Sequence, residues 1–573
     1  MSKYKYATID IETTGLNRFK HDITWIGIGL YESLEDNEGK IYLLNMSKQE
    51  DIDKFFRICE RLRKYKLKLI WQGGKFDTLF IELKYNLKLP ISDDTMLMGT
   101  AYDMAGDHSL KPMAKLYLGV PDWDIPKKEK TNPNSDKIKP YLRFDVNHTW
   151  GLFQFFNEMM TDLHWKIYKK LLKPAYLMYR KVERTGICFD RKRYKEVKIQ
   201  FADEEKKRLK TLTNMYDINW NSPQQKQKVL YEEEQLPILK RSQKTGKPSA
   251  DTKTLKRLAF KGHELPIKIM EYSEINTLNK MFLYRWGDDS KYDGRIHPNF
   301  GLTNVRTGRT SCSEPNLQQV PRNKTLRSLF TPTDPDKIFF EADYSQLELR
   351  IGAHFAKDPV MLDIYRKDGD IHTETARGLT GGKEPTKDER GKAKAVNFGF
   401  LYGMSAGGFV SYAFDSYNQL FTKPEADKYR TMFFTKYPRL LAWHKEQEEL
   451  CEIQGGVYDL FGRFRKLPDI YSHDNSLRSA AIRRAINTPV QGTGSNILLG
   501  SAVEIDKELS PYGLDIEGTI HDAIVGEFYK KDLDWIVPEI KRIMSHPKIM
   551  DEFDINLSVK LDTDVGVGPW GTH

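Results

Sequence analysis

Ile338-Phe-Phe-Glu341-Ala-Asp343-Tyr-Ser-Gln346-Leu-Glu348-Leu-Arg350 is the stretch on which the reading of this chain turns. Ile338 to Asp343 has the composition of a buried strand, and its acid stands where the chain turns into a helix. Far downstream, Gly518–Phe528 reads as a hairpin with Thr519-Ile-His521-Asp522-Ala-Ile-Val525 at its polar centre. It too carries an acid at its tip. Two such tips side by side make a dicarboxylate site for a hard cation. Between them lies Thr386-Lys-Asp-Glu389-Arg390-Gly-Lys-Ala-Lys394-Ala-Val-Asn-Phe398-Gly-Phe-Leu-Tyr402-Gly403. Thr386 and Glu389 predict a capping box and Gly403 a helix stop. Arg390, Lys394, Phe398 and Tyr402 recur every four residues, so they share a face. Two cations followed by two aromatics suit a nucleotide: the cations hold a triphosphate while a ring packs on base and sugar.

A second acid cluster opens the chain. Asp10 and Glu12 sit two apart on a predicted strand (Tyr4–Ile11 and its extension), so both carboxylates face the same way, with Ile9 and Ile11 opposite. Strands at Thr24–Tyr31, Ile41–Asn45 and Leu69–Gln72 and helices at Ile52–Leu67 and Lys75–Tyr85 make residues 1–150 mixed α/β. Asp77 follows in Gly74-Lys-Phe-Asp77, and Tyr141 and Asp145 are one helical turn apart. Four carboxylates and a tyrosine suit two-metal phosphodiester hydrolysis.

The chain has 573 residues, with 39% apolar and 30% charged residues, which excludes a disordered tail. No apolar run reaches the ~18 residues of a membrane span, and no signal-peptide core follows the N-terminus. Cys59, Cys188, Cys312 and Cys451 offer neither a disulfide framework nor a metal spacing. A soluble, cytoplasmic protein without membrane contact is expected. Net charge is +10, and residues 191–260 carry 18 Lys/Arg against 9 Asp/Glu, leaving +1 for everything else. Such a basic segment is what a phosphate backbone attracts. Residues 150–180 read as continuously helical, and 191–290 as Lys-rich helices broken at Asn221-Ser-Pro223 and Lys244-Thr-Gly-Lys-Pro248.

Asp10-Ile-Glu12-Thr-Thr-Gly-Leu16, Phe76-Asp77 and Tyr141-x-x-x-Asp145 resemble, in order, the three motifs of the DEDDy 3′–5′ exonucleases. The resemblance implies an RNase H-like fold, with Asp10, Glu12, Asp77 and Asp145 as metal ligands and Tyr141 orienting the water. Where relatives carry an Asn near Gly73, this chain has Gln72. The acid tips and the cationic helix resemble motifs A, B and C of the family A, polymerase I type, DNA polymerases. Pro174–Asp190, Asn221-Ser-Pro-Gln224, Thr245-Gly-Lys-Pro-Ser249, Thr307-Gly-Arg309…Asn316-Leu-Gln318, Asp370-Ile-His372 and Arg483-x-x-x-Asn487-x-x-x-Gln491 agree in order.

This second resemblance implies an α/β multidomain chain. Residues 1–165 would be the exonuclease and 166–573 a right-hand polymerase domain, with thumb about 185–290, palm about 291–370 and 440–573, and fingers about 371–439. It implies two Mg²⁺ ions per active site (Mn²⁺ as an alternative), held in the palm by Asp343 and Asp522. His372, Arg390 and Lys394 would meet the triphosphate, Lys394 also protonating pyrophosphate. Phe398 would flank the sugar, Glu348 block a 2′-hydroxyl, Tyr402 stack beside the templating pair, and Gln346 complete the dNTP site. Arg309, Asn316, Gln318, Arg483, Asn487, Gln491 and His521 would contact primer-template DNA. Ala523 departs from the usual Glu, and Ser273, Thr277 and Asn279 stand in the thumb where cations are common. With no 5′-nuclease segment ahead of the exonuclease, the chain is expected to be a phage-like, monomeric replicative enzyme. A helicase, primase or single-strand-binding protein would be its replisome partner. Rival readings are a single-subunit RNA polymerase, a catalytically impaired primer-template binder and an exonuclease-only enzyme.

Overall fold

The computed structural model describes residues 2–571 except Pro133 and Gln243. The N-terminal half is built on a five-stranded sheet of order β3-β2-β1-β4-β5. Its strands are β1 (Tyr6–Thr13), β2 (Ile23–Tyr31), β3 (Lys40–Asn45), β4 (Lys68–Trp71) and β5 (Asp93–Asp94), with helices α1 (Gln49–Lys64) and α2 (Lys75–Tyr85) in the crossovers. β1 pairs antiparallel with β2 and parallel with β4. All nine residues of β2 are buried, as its apolar run demands. Gly27 lies opposite Asp10 in the ladder. A Cβ at Gly27 would sit 2.7 Å from Val146 and 2.9 Å from Leu142, both on helix α3 (Ile138–Met159). The bare strand thus lets the helix carrying Tyr141 and Asp145 settle against the strand carrying Asp10 and Glu12.

The expected continuous helix over 150–180 breaks at Met160, because Thr161 caps a fresh helix with a reciprocal Thr161–His164 box. Helix α4 (Lys173–Thr185) then leads to the long α5 (Arg191–Met215), α6 (Thr252–Phe260) and α7 (Glu264–Thr277). These last three share a small core of their own, including Leu212, Trp220, Leu255 and Ile269.

A four-stranded antiparallel sheet follows: β6 (Lys337–Tyr344), β7 (Asp515–Ile520), β8 (Ala523–Tyr529) and β9 (Thr563–Gly568), in the order β7-β8-β6-β9. Inserted between β6 and β7 are helices α8 (Leu347–Ala356), α9 (Ile371–Leu379), α10 (Lys387–Leu401), α11 (Ala406–Tyr417) and the 35-residue α12 (Asn475–Leu509). Among the described residues no helix is long and apolar enough to cross a membrane, and the four cysteines are free.

Candidate active sites

In the N-terminal half, carboxylate oxygens of Asp10, Glu12 and Asp145 lie within 4.8 Å of one another. Asp77 adjoins this trio without belonging to it; its Oδ1 accepts the Ile11 N–H at 3.1 Å. Burial is the main force raising all four acids. It is reinforced for Asp10 and Glu12 by the neighbouring carboxylates, and Glu12 and Asp77 are each pushed up to about 8. A cluster so averse to its own charge, offering only oxygen donors, fits hard divalent cations. Burial and then Asp145 hold the Tyr141 phenol far above its ordinary value, so it stays a neutral hydrogen-bond donor.

Sequence reasoning missed the cations and the indole around this cluster. Lys111 Nζ donates to Tyr141 Oη at 2.9 Å and lies 3.8 Å from Asp145. Trp123 Nε1 donates to Asp145 Oδ1 at 2.7 Å. Lys130 sits over the Tyr141 ring at 5.0 Å. None belongs to a spaced motif; the fold alone gathers them. Gln72, where an Asn was expected, binds the His108 carbonyl at 2.8 Å, so its side chain is spent within the fold. Beside Glu12 opens a cavity of about 1060 Å³ with walls from both halves, from Thr13–His21 on one side to Asn299–Asn304 on the other.

In the C-terminal half the antiparallel ladder sets Asp343 opposite Ala523, and the Tyr344 N–H donates to the Asp522 carbonyl at 3.3 Å. Asp522 follows His521, whose φ of +56° turns the hairpin and leaves its ring exposed. The two acid tips therefore sit at adjacent registers of one sheet end. Ala523 itself is buried in the ladder. Beside the acids, Arg309 pairs with the Glu348 carboxylate and lies 3.7 Å from Asp522 Oδ1. Tyr402 donates its hydroxyl to the other Glu348 oxygen. Burial pushes Glu348 up to about 7; Arg309 opposes the shift and Asp522 adds to it.

The predicted capping box of α10 forms: Glu389 N–H to Thr386 Oγ1 at 3.3 Å and Thr386 N–H to Glu389 Oε2 at 2.8 Å. Arg390 and Lys394 are exposed, and Phe398 and Tyr402 half-buried, along one side of it. Arg390 is engaged with Asp370 at 2.7 Å. Burial opposes ionisation of Asp370, but hydrogen bonds from Arg390, Thr373 and the His372 N–H hold it down at about 2. Gln346, at a left-handed φ of +56°, also serves Asp370, donating at 2.9 Å.

Three placements depart from expectation. His372 is only 3% exposed, its ring 2.8 Å from the Asn397 amide. Burial, Arg390 and Lys394 drop it to about 4, so it can offer a phosphate a hydrogen bond but no charge. Asn316 spends its side chain capping the Gln318 N–H at 3.0 Å, while Gln318 donates to the Thr519 carbonyl at 3.0 Å. Asn279 is buried against Phe201 and Glu205, facing the helix partner rather than any groove; Thr277 is the exposed neighbour. Arg483 is exposed and Asn487 and Gln491 half-buried on successive turns of α12. A cationic group beside them escaped sequence reasoning. Burial, Arg484 and Arg306 drop Arg465 to about 10, and its guanidinium donates to Thr488 at 2.9 Å. The alternation Gly462-Arg-Phe-Arg465 was its signal. Mutually repelling arginines held together suit a polyanion.

The profile of DNA polymerase family A matches residues 191–572, and that of a 3′–5′ exonuclease matches residues 1–161. The chain is 31% identical to DNA polymerase I of Pseudomonas aeruginosa, over 99% of this chain and 63% of that protein. It is 29% identical to the thermostable DNA polymerase I of Thermus aquaticus, over 86% of this chain and 56% of that one. The chain thus spans between half and two thirds of the length of these curated relatives. The POL domain of Pol1 from M. smegmatis, solved as a complex with DNA primer-template and dNTP, superposes with a TM-score of 0.79 at 21% identity, covering 99% of this chain and 96% of that one. At that identity the likeness speaks to fold alone.

Proposed function

The chain belongs to DNA polymerase family A, and from that premise we propose that it extends a primer 3′ end on a DNA template with dNTPs and removes mispaired ends with its N-terminal half. The observation that carries the reading is the adjacency of Asp343 and Asp522 at one sheet end, with Glu348, Arg309 and Tyr402 packed beside them. Asp343 and Asp522 would hold one pair of Mg²⁺ or Mn²⁺ ions and Asp10, Glu12, Asp77 and Asp145 another, supplying charge neutralisation and a more acidic hydroxyl or water when bound.

The chain's own residues supply positioning and charge. Lys394, exposed on α10, meets the triphosphate and donates a proton to the departing pyrophosphate. Arg390 exchanges Asp370 for phosphate oxygens, and His372 offers a neutral hydrogen bond. Glu348, pinned between Arg309 and Tyr402, walls the 2′ position against ribonucleotides while Phe398 flanks the sugar. Arg309 also reaches the primer end. Arg483, Asn487, Gln491 and His521 follow the duplex, with Arg306, Arg465 and Arg484 on its phosphates. In the other half, the neutral Tyr141 phenol orients the attacking water.

Primer extension with dNTPs and with rNTPs, beside digestion of a mismatched 3′ end, tests the assignment. Template-directed extension confined to dNTPs, with digestion, is expected; digestion without extension would leave only the nuclease.

A further inference from the structure

Helix α6 reaches across to the C-terminal end of α11. Lys253, Lys256 and Arg257 share one face of α6. Lys253 Nζ lies 2.8 Å from Asp415 Oδ2, and Arg257 Nη2 3.6 Å from Oδ1. Lys256 Nζ donates to the carbonyls of Phe414 and Asp415 at 3.3 and 3.4 Å, at the helix end where the macrodipole favours a cation. The Phe414 ring takes Lys256 at 5.3 Å, Arg257 at 5.7 Å and the Phe260 ring edge-on at 5.8 Å. Two cations of the basic segment thus meet one largely buried acid, its side chain 14% exposed, while the third takes the adjoining carbonyls, and Lys256 and Arg257 share one aromatic ring.

On the polymerase reading, α6 falls in the thumb and α11 in the fingers, so this contact joins the two. We propose that Asp415 is a positioning residue that latches thumb to fingers around bound duplex, linking the protein topologically to its DNA. The inference rests on that reading. The chemistry suits a reversible closure. The cationic partners, Lys253 and Arg257, are solvent-exposed at 66% and 36%, so salt screens their hold on Asp415 and the latch can open for loading. The outer part of these helices packs on a small core of its own, while the bases of α5 and α7 join the main core, which gives α6 a hinge to swing on.

The variant carrying Lys253→Cys and Asp415→Cys tests this. It is bound at low salt to a primed circle or to linear duplex of the same sequence, joined with a short bis-maleimide, and challenged with about 1 M salt, where the Debye length is ~3 Å. Retention on the circle and release from the line are expected. Release from both, or a cross-link that forms only without DNA, overturns the latch. If the native protein binds neither DNA at low salt, the polymerase reading itself has failed. In parallel, Asp415→Lys is expected to shorten severalfold the product made per binding event on a primed circle, leaving single-nucleotide addition at saturating DNA unchanged. Adding Lys253→Glu and Arg257→Glu should restore it. Wild-type product lengths in Asp415→Lys overturn the proposal.

Discussion

Single side chains divide the chemistry between the two halves. Asp10, Glu12 and Asp145 crowd one another in a partly buried pocket; their raised proton affinities follow first from lost hydration and, for Asp10 and Glu12, then from the neighbouring carboxylates. Removing Asp10 and Glu12 together as Ala is expected to abolish 3′-end digestion while leaving extension within about twofold, because Asp10 and Glu12 stand on a different sheet from Asp343; loss of extension in a folded variant would refute the division of labour. The acids were legible because strand alternation places i and i+2 on one face. Lys111, Trp123 and Lys130 were not, since each comes from a different loop or helix and no spacing rule links them. Glu348 was legible as a site residue, but its double grip by Arg309 and Tyr402 depends on segments nearly a hundred residues apart.

Among the elements, α10 is held in place by two buried histidines. His372 faces Asn397, and His444 bonds the Leu401 carbonyl at 2.9 Å. Burial, with Arg430 nearby, drops His444 to about 4. A depressed histidine stabilises the fold above its unfolded value near 6.5 and gives that up as pH falls toward 4, by up to roughly 3 kcal/mol. Urea unfolding of wild type should therefore lose more stability between pH 7 and 4 than His444→Gln, which keeps a donor for Leu401; parallel pH curves would contradict the buried neutral ring. The capping box, the Gly403 stop and the Asp522 hairpin were readable in advance, each being a local rule. The break at Met160 and the burial of Asn279 were not: the first needed an unusual Thr–His box, the second a partner helix.

At the scale of the whole molecule, the halves are tied by a buried network. Lys75, two residues before Asp77, pairs with Glu183 of α4 and with the Phe300 carbonyl, while the Phe300 N–H donates to Glu183 at 2.7 Å. The Lys75 and Glu183 side chains are only 7% and 2% exposed. Lys75→Met strands a buried carboxylate and should cost about 3–5 kcal/mol in denaturant unfolding, most of it recovered by adding Glu183→Gln; a loss under about 1 kcal/mol would show the pair to be dispensable. The same long-range logic brings β6 and β8 together, and with them the two acids proposed to carry polymerisation. The most direct measurement is single-turnover primer extension by Asp522→Asn, run beside mismatch digestion by the same preparation. Extension should fall about a thousandfold or more with digestion intact; extension at the wild-type rate would mean that these aspartates do not form the polymerising centre.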